Sequence, residues 1–221
     1  MKSQEIRKSV MKDYDLIANN YCDEYGIELD DKKIIDKFKN LLEHNSKIVD
    51  LGGGSGKVTN YLIENNYNAV CYDFSKEMMN NALKLFPKIP YILDDIVNIN
   101  NHFNLETVDG VIALYSLFHI PKENMNTVLK NINNILKDNG YFLVTFQLGN
   151  DESFVDEPYL KETGKNVLYM NYYSKKDLEK LFTENNFKII YKEIKKEIGN
   201  NTIGNNDTII IIAKKVLPKV D

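Results

Sequence analysis

The sequence predicts a doubly wound α/β sandwich whose mostly parallel sheet is closed by a C-terminal antiparallel hairpin. Three observations carry this. From Lys47 onward, short apolar runs alternate with helical patterns. The first junction between a run and a helix, residues 50–57, is a glycine-rich turn. The last two runs, 188–194 and 208–213, enclose a turn-rich stretch from Gly199 to Asn206 that holds no helical pattern, so they pair antiparallel.

The elements follow in order. Strands are expected at 48–51, 69–72, 91–93, 108–114 and 141–146, with the two closing runs making a sheet of seven. Val58, Leu62 and Ile63 mark the first crossover helix. Met78, Met79, Ala82, Leu83 and Phe86 mark the second, which Pro87 and Pro90 end. The stretch 123–136 sets Met125, Val128, Leu129, Ile132, Ile135 and Leu136 on one face, and Asn139-Gly140 reads as its stop. Ser174 with Asp177 forms a capping pattern before Leu178, Leu181 and Phe182. Strands alternating with helices give a parallel sheet covered on both faces by right-handed crossovers. The organisation expected is an N-terminal helical cap, 1–46, and a core, 47–221, with a lid insertion at about 149–173.

Composition narrows the function. With 221 residues, 43% of them hydrophobic and 27% charged, the chain has the make-up of one globular α/β domain. A net charge of -4 and scattered lysine pairs argue against a surface that tracks nucleic-acid phosphates. Cys22 and Cys71 stand outside any metal-ligand spacing, so no metal is expected, and two reduced thiols suit a cytoplasmic protein. The N-terminal residues lack a signal-peptide core, and no run has the length of a membrane span.

The glycine turn reads Val49-Asp50-Leu51-Gly52-Gly53-Gly54-Ser55-Gly56-Lys57. Glycine there lets the backbone turn tightly and approach a ligand, and a following helix offers free N–H groups. A dinucleotide fingerprint beginning at Gly52 and Gly54 would need glycine where Lys57 stands. A Walker loop ending at Gly56-Lys57 would need glycine at Leu51 and a hydroxyl at Val58. What remains is an acidic residue followed by G-x-G-x-G. In this the chain resembles the class I S-adenosylmethionine (AdoMet)-dependent methyltransferases of small-molecule type. Ordered likenesses extend from 47 to 146: Asp73 after the second strand, Asp94-Asp95-Ile96 after the third, 108–114 for the fourth motif, and Leu136-Lys137-Asp138-Asn139-Gly140 for an "L-K-x-G-G" turn. A helix before the core, Tyr14 to Tyr21, resembles a "Y-D-x-x-A-x-x-Y" segment.

The resemblance implies AdoMet as cofactor, S-adenosylhomocysteine as product, and a Rossmann-like seven-stranded fold. It assigns cofactor contact to Tyr14, Tyr21, Asp50, Gly52, Gly53, Gly54, Asp73, Phe74, Met78, Asp95, Ile96, Ala113 and Leu114. Asp73 would meet the ribose hydroxyls, although with Ser75 it also suits a helix cap. The two tyrosines cover the cofactor or merely dock a helix; both readings stay open.

Ligands of open α/β sheets bind beyond the carboxyl ends of the strands. Tyr115 and Phe118 therefore face the acceptor, as do Tyr172 and Tyr173 from the 149–173 connection, and His119 is the candidate general base. His119 is equally readable as a structural residue at the Pro121 turn. The connection mixes Phe154, Tyr159, Tyr169, Tyr172 and Tyr173 with Asp151, Glu152, Asp156 and Glu157. That mixture suits a flat or cationic acceptor, or a solvated acidic loop. The expected activity is methyl transfer to oxygen or nitrogen of a small molecule, by a monomer or homodimer with no nucleic-acid or membrane partner. A protein or RNA acceptor, or a non-catalytic AdoMet-binding subunit, is the alternative.

Overall fold

The computed structural model describes residues 2–165, 167–196 and 207–217. Ten strands are present among them: β1 (Lys47–Leu51), β2 (Asn68–Asp73), β3 (Tyr91–Leu93), β4 (Val108–Ala113), β5 (Leu136–Leu148), β6 (Ser153–Asp156), β7 (Val167–Met170), β8 (Tyr172–Tyr173), β9 (Phe187–Lys195) and β10 (Thr208–Lys215). The main sheet runs β3-β2-β1-β4-β5-β10-β9, the expected seven, and the short β8 adds to the tip of β5. Strands β1 to β5 are mutually parallel, and β10 lies antiparallel to both β5 and β9. The turn expected between 199 and 206 lies outside the described residues.

Neighbouring strand residues point to opposite faces, and both faces are covered. Val49, Val111, Phe142, Ile209 and Ile211 pack with α5 (Lys122–Ile135) and α6 (Lys175–Glu184). Their neighbours Ile48, Ile112, Leu143, Ile210 and Ile212 pack with α2 (Lys32–Lys39) and α3 (Lys57–Glu64). This double burial explains why the strands read as continuous apolar runs. The helix α1 (Ser3–Tyr25) belongs to neither layer. It packs on α4 (Lys76–Leu85) through Ala18, Cys22 and Met78, and on the 149–173 connection through Val10, Ile17, Leu160 and Leu168.

Three features differ from expectation. The helix α5 ends at Ile135, short of Asn139-Gly140, because Leu136 already bridges Val108 as the first residue of β5. Residues 137–140 then bulge out before Tyr141 meets Gly110, with Asn139 at φ 63. Asn139 does adopt left-handed geometry, but inside a strand bulge rather than after a helix. The 149–173 connection, for which the sequence shows no regular pattern, contains the β6–β7 pair and a 3-10 helix, Pro158–Thr163. No helix among the described residues is long and apolar enough to cross a membrane.

Strand β1 lies between β2 and β4, so chain progression reverses there. A crevice opens outside the carboxyl ends of β1 and β4 at such a switch point. An aromatic knot under α6 holds that edge of the sheet: Phe182 sits 6.1 Å from Phe142, 6.2 Å from Phe146 and 6.0 Å from Phe187, ring centre to ring centre. Phe182→Ala is expected to cost about 3–5 kcal/mol. Urea unfolding checks this against Ile194→Ala on an exposed strand position, expected to change stability by about 0.5 kcal/mol or less.

Candidate active site

The turn from β1 into α3 repeats left-handed geometry at alternate residues: φ is 72 at Gly52, 51 at Gly54 and 75 at Gly56. Two of these glycines also answer to space. A Cβ on Gly52 would lie 2.3 Å from Ser116 Cβ, and one on Gly56 would lie 2.2 Å from Ile89 Cδ1. Above Gly54 nothing stands within 4 Å. That position opens into a cavity of about 700 Å³ at the switch point. A wider groove of about 970 Å³ lies along α6 and β9, away from the carboxyl ends of β1 and β4.

Two buried carboxylates shape the turn. Asp50 Oδ2 accepts hydrogen bonds from Thr59 N (3.1 Å) and Thr59 Oγ1 (2.8 Å), tying the end of β1 to α3. Asp73 Oδ2 accepts from Gly54 N at 3.0 Å and its Oδ1 from Ser75 N at 2.9 Å. Ser75 in turn caps α4, its Oγ accepting from Met78 N. Burial pushes both carboxyl groups up to about 6, because the charged form loses hydration.

Beyond β4, Tyr115 has φ 54, an uncommon geometry for a non-glycine residue, and its N–H donates to Thr145 Oγ1 at 2.7 Å. A 3-10 turn, Leu117–His119, follows. The His119 ring is buried and lies between two partners: Nδ1 is 2.8 Å from the Tyr169 carbonyl oxygen, and Nε2 is 2.7 Å from Tyr14 Oη. A carbonyl only accepts, so Nδ1 carries the proton and Nε2 accepts from the Tyr14 hydroxyl. Burial pulls His119 down to about 4 and raises Tyr14 well above its ordinary value, so both are neutral near pH 7.

The cavity gathers many of the sequence-predicted residues: Tyr14, Tyr21, Asp50, Gly52, Gly53, Gly54, Leu114, Tyr115, Phe118 and His119 all line it. Others stand behind its wall. Phe74 packs on Tyr14 at 6.2 Å, and Met78 is buried against Ala18 and Cys22 under α1. Asp73 faces the loop backbone, and Ala113 is fully buried in β4. Asp95 caps the 3-10 helix that begins at Ile96 and is held by Arg7 Nε at 2.8 Å. Tyr172 is buried against Phe118 and Met170, and Tyr173 lies 5.4 Å from Phe146, so neither β8 tyrosine lines the cavity. His102, away from the cavity, pairs with Asp94 at 2.7 Å.

Sequence reasoning missed Gln147, Glu24, Tyr25 and Met170 among the cavity-lining residues, and weighed Glu157 and Tyr159 only as part of the mixed aromatic and acidic connection. Gln147 had one signal, a polar residue directly after the apolar run 141–146. Lys57, which argued against a dinucleotide loop, donates to the carbonyl oxygens of Tyr25 and Glu28 at 2.7 Å each.

The imidazole geometry makes a prediction. His119 has a folded-state pKa below its unfolded value, so its contribution to stability is present above about pH 6.5 and is lost as pH falls toward 4. Nitrogen-detected NMR is expected to show a neutral Nδ1-protonated ring from pH 7 down to about 5. A ring that titrates near 6.5 would contradict the arrangement.

The comparisons with known proteins agree with this geometry. A family model described as a methyltransferase domain matches residues 27–192. None of the curated proteins matches the chain significantly in sequence. Among solved structures, a SAM-dependent methyltransferase of Methanosarcina mazei is 21% identical, with TM-score 0.73 over 86% of this chain and 100% of its own. The 1,6-didemethyltoxoflavin-N1-methyltransferase of Burkholderia thailandensis, solved with its substrate and S-adenosylhomocysteine, is 14% identical, with TM-score 0.72 over 97% of this chain and 91% of its own. A putative methyltransferase of Haloferax volcanii, in complex with the Trm112 methyltransferase activator, is 14% identical, with TM-score 0.71 over 96% and 99%. With the glycine turn, the switch-point cavity and a family match over most of its length, the chain belongs to the class I AdoMet-dependent methyltransferases.

Proposed function

We propose that this enzyme transfers the methyl group of AdoMet to an oxygen or nitrogen of a small molecule enclosed beneath α1 and the 149–173 connection. The observation that supports this most is the single cavity of about 700 Å³ that joins the glycine turn to the Tyr14–His119 pair. Its walls come from six parts of the chain: α1, residues 29–35 at the start of α2, the β1 turn with the start of α3, the residues after β4, Gln147 of β5 and the connection. A site so enclosed suits a small acceptor better than an RNA or a folded protein, and the net charge of -4 agrees. The two free, buried thiols suit a reducing cytoplasm. The Haloferax protein's complex with an activator supports a second reading, in which turnover needs a partner chain; activity of the purified chain alone decides between them.

The residues present fit the cofactor. Open space above Gly54 accommodates a ligand against bare backbone, and Asp50 and Asp73 supply acceptors for a cationic, hydroxyl-bearing nucleoside. Asp50, Gly52, Gly53, Gly54 and Leu114 would form its floor and Tyr14 and Tyr21 its cover. Asp73, Phe74, Met78, Asp95, Ile96 and Ala113 stand behind that floor and cover and would support them. Bound there, AdoMet supplies a methyl group already joined to its leaving group. What remains for the protein is alignment and proton removal.

Tyr14 and His119 divide the second task. The Tyr14 hydroxyl proton points at His119 Nε2, so its oxygen lone pairs are left for an acceptor O–H or N–H. As the acceptor atom bonds to carbon, its own proton becomes acidic and passes to the Tyr14 oxygen, while the Tyr14 proton passes to Nε2. The Tyr169 carbonyl then steadies the imidazolium through Nδ1–H. Tyr115 and Phe118 position the acceptor from the β4 side.

Two tests follow. Gly54→Ala places a methyl group where no protein atom lies, at a backbone cost of about 1–2 kcal/mol. It is expected to fold, yet to bind AdoMet at least tenfold more weakly by calorimetry; undiminished affinity would remove the cofactor from the glycine turn. Tyr14→Phe and His119→Ala are each expected to lower kcat by about 10²–10⁴-fold. The double variant should lose no more than the worse single one. Full additivity of the two losses would mean that the pair does not act as a unit.

A further inference from the structure

Four buried side-chain oxygens among the described residues have no hydrogen-bond partner: Gln147 Oε1, Glu157 Oε2, Asn171 Oδ1 and Tyr173 Oη. The first two belong to residues that line the cavity; the other two do not. A buried acceptor left unpaired costs about 1–3 kcal/mol, more for a carboxylate, so two of them bordering one cavity call for a donor. Glu157 is 1% exposed and Gln147 3%. Glu157 Oε1 is already used by Tyr159 N at 3.1 Å, which fixes the carboxyl group and leaves Oε2 alone.

No side chain around the cavity supplies the missing donor. Lys57 is the one Lys or Arg residue among the described cavity-lining residues, and its Nζ is engaged by the carbonyl oxygens of Tyr25 and Glu28. Of the other acidic residues on the wall, Asp31 pairs with Lys195, Glu24 accepts from Tyr159, Asp50 holds Thr59, and Asp30 is exposed and hydrated by solvent. Glu157 has none of these counterparts. The cavity it borders is also lined by Tyr14, Tyr21, Tyr25 and Tyr159, and the faces of aromatic rings attract cations.

We infer that the methyl acceptor is a small organic cation bearing N–H donors, an amine or amidine, whose charged nitrogen Glu157 binds while Gln147 accepts a second N–H and a separate uncharged nitrogen or oxygen of the same molecule, beside Tyr14, takes the methyl group. This rests on the methyl-transfer reading above and names the acceptor class within it. Glu157 and Gln147 are specificity-determining residues and not proton carriers; the carboxylate sets which molecule lies beside Tyr14. Donors on the acceptor satisfy both orphan oxygens, and its charge offsets a carboxylate that the protein leaves uncompensated. An anionic acceptor would meet Glu157 as a like charge, and a neutral hydrocarbon would leave both oxygens unpaired.

Calorimetry on the full chain loaded with S-adenosylhomocysteine tests this, with benzylamine and benzamidine as cations, benzyl alcohol as a neutral isostere and benzoate as an anion. The expected result is at least tenfold tighter binding of a cation than of either comparator. Glu157→Gln, which keeps the Tyr159 bond, is expected to abolish that preference with the dissociation constant of S-adenosylhomocysteine unchanged within twofold. Gln147→Leu should weaken the cations while retaining part of the preference, and Glu157→Asp should restore some of it. Equal or tighter binding of benzyl alcohol or benzoate would overturn the inference, as would binding of neither cation. A Glu157→Gln variant that loses S-adenosylhomocysteine but keeps the cation preference would assign the carboxylate to the cofactor instead. If the wild-type chain takes up no S-adenosylhomocysteine, the methyl-transfer reading itself falls, which is a distinct result.

Discussion

The site depends on two carboxylates that the fold buries and then makes responsible for backbone N–H groups. Asp50 holds the first turn of α3, and Asp73 holds the amide of Gly54 at the crest of the glycine turn. Among the described residues neither is neutralised by a lysine or arginine at hydrogen-bond distance; Asp50 is compensated by the backbone and hydroxyl of Thr59, and Asp73 by the backbone N–H groups of Gly54 and Ser75. Hydrogen bonds to charged groups are worth about 1.5–3 kcal/mol, enough to fix a turn whose glycines would otherwise sample many conformations. Gly53 shows how tight the arrangement is: a Cβ there would sit 2.7 Å from Asp50 Oδ2. The same desolvation that raises these groups to about 6 makes the turn receptive to positive charge. A sulfonium fits this electrostatic setting better than a phosphate chain does.

Above the turn, α1 is fastened by contacts that each reach a different element. Asp15 accepts from Ser75 Oγ at 2.6 Å at the start of α4, Asp13 pairs with Lys165 at 2.6 Å in the connection, and Arg7 bridges Asp95 and Asn124. Polar links of this kind contribute modestly one by one, and the apolar seam of Val10, Ile17, Leu160 and Leu168 carries the rest. The consequence is positional. A helix far from the β4 end in sequence delivers the Tyr14 hydroxyl to His119, 105 residues away along the chain.

That separation explains what the sequence disclosed and what it withheld. The sheet was legible because double burial leaves continuous apolar runs such as 141–146, and the glycine turn because positive φ at alternate residues demands G-x-G-x-G. Asp50, Gly54, Tyr115, Phe118 and His119 were found by position relative to strands, a local signal that survives into the structure. Other features were set by partners distant in sequence. Tyr172 and Tyr173 looked available in an irregular segment, but pairing of β8 with the end of β5 buries them. The end of α5 moved because Leu136 had a cross-strand partner, Val108, that no periodicity reveals. Glu157 was indistinguishable from the solvated acids around it until the 3-10 helix after it packed on α1 and closed it off.

The His119 environment also bears on how a weak base would serve in the proposed transfer. An imidazole pulled down to about 4 does not deprotonate a resting hydroxyl, and in this site it does not have to. Its lone pair is already satisfied by Tyr14, so a proton can arrive at Nε2 only as Tyr14 receives one from elsewhere. In the proposed mechanism, transfer would thereby be tied to the moment when the acceptor atom becomes acidic, which is the moment of bond formation to carbon. The low basicity that argues against a free-standing general base is what keeps this pair neutral and hydrogen-bonded. A more basic histidine in the same place would protonate and lose its bond from the Tyr14 hydroxyl.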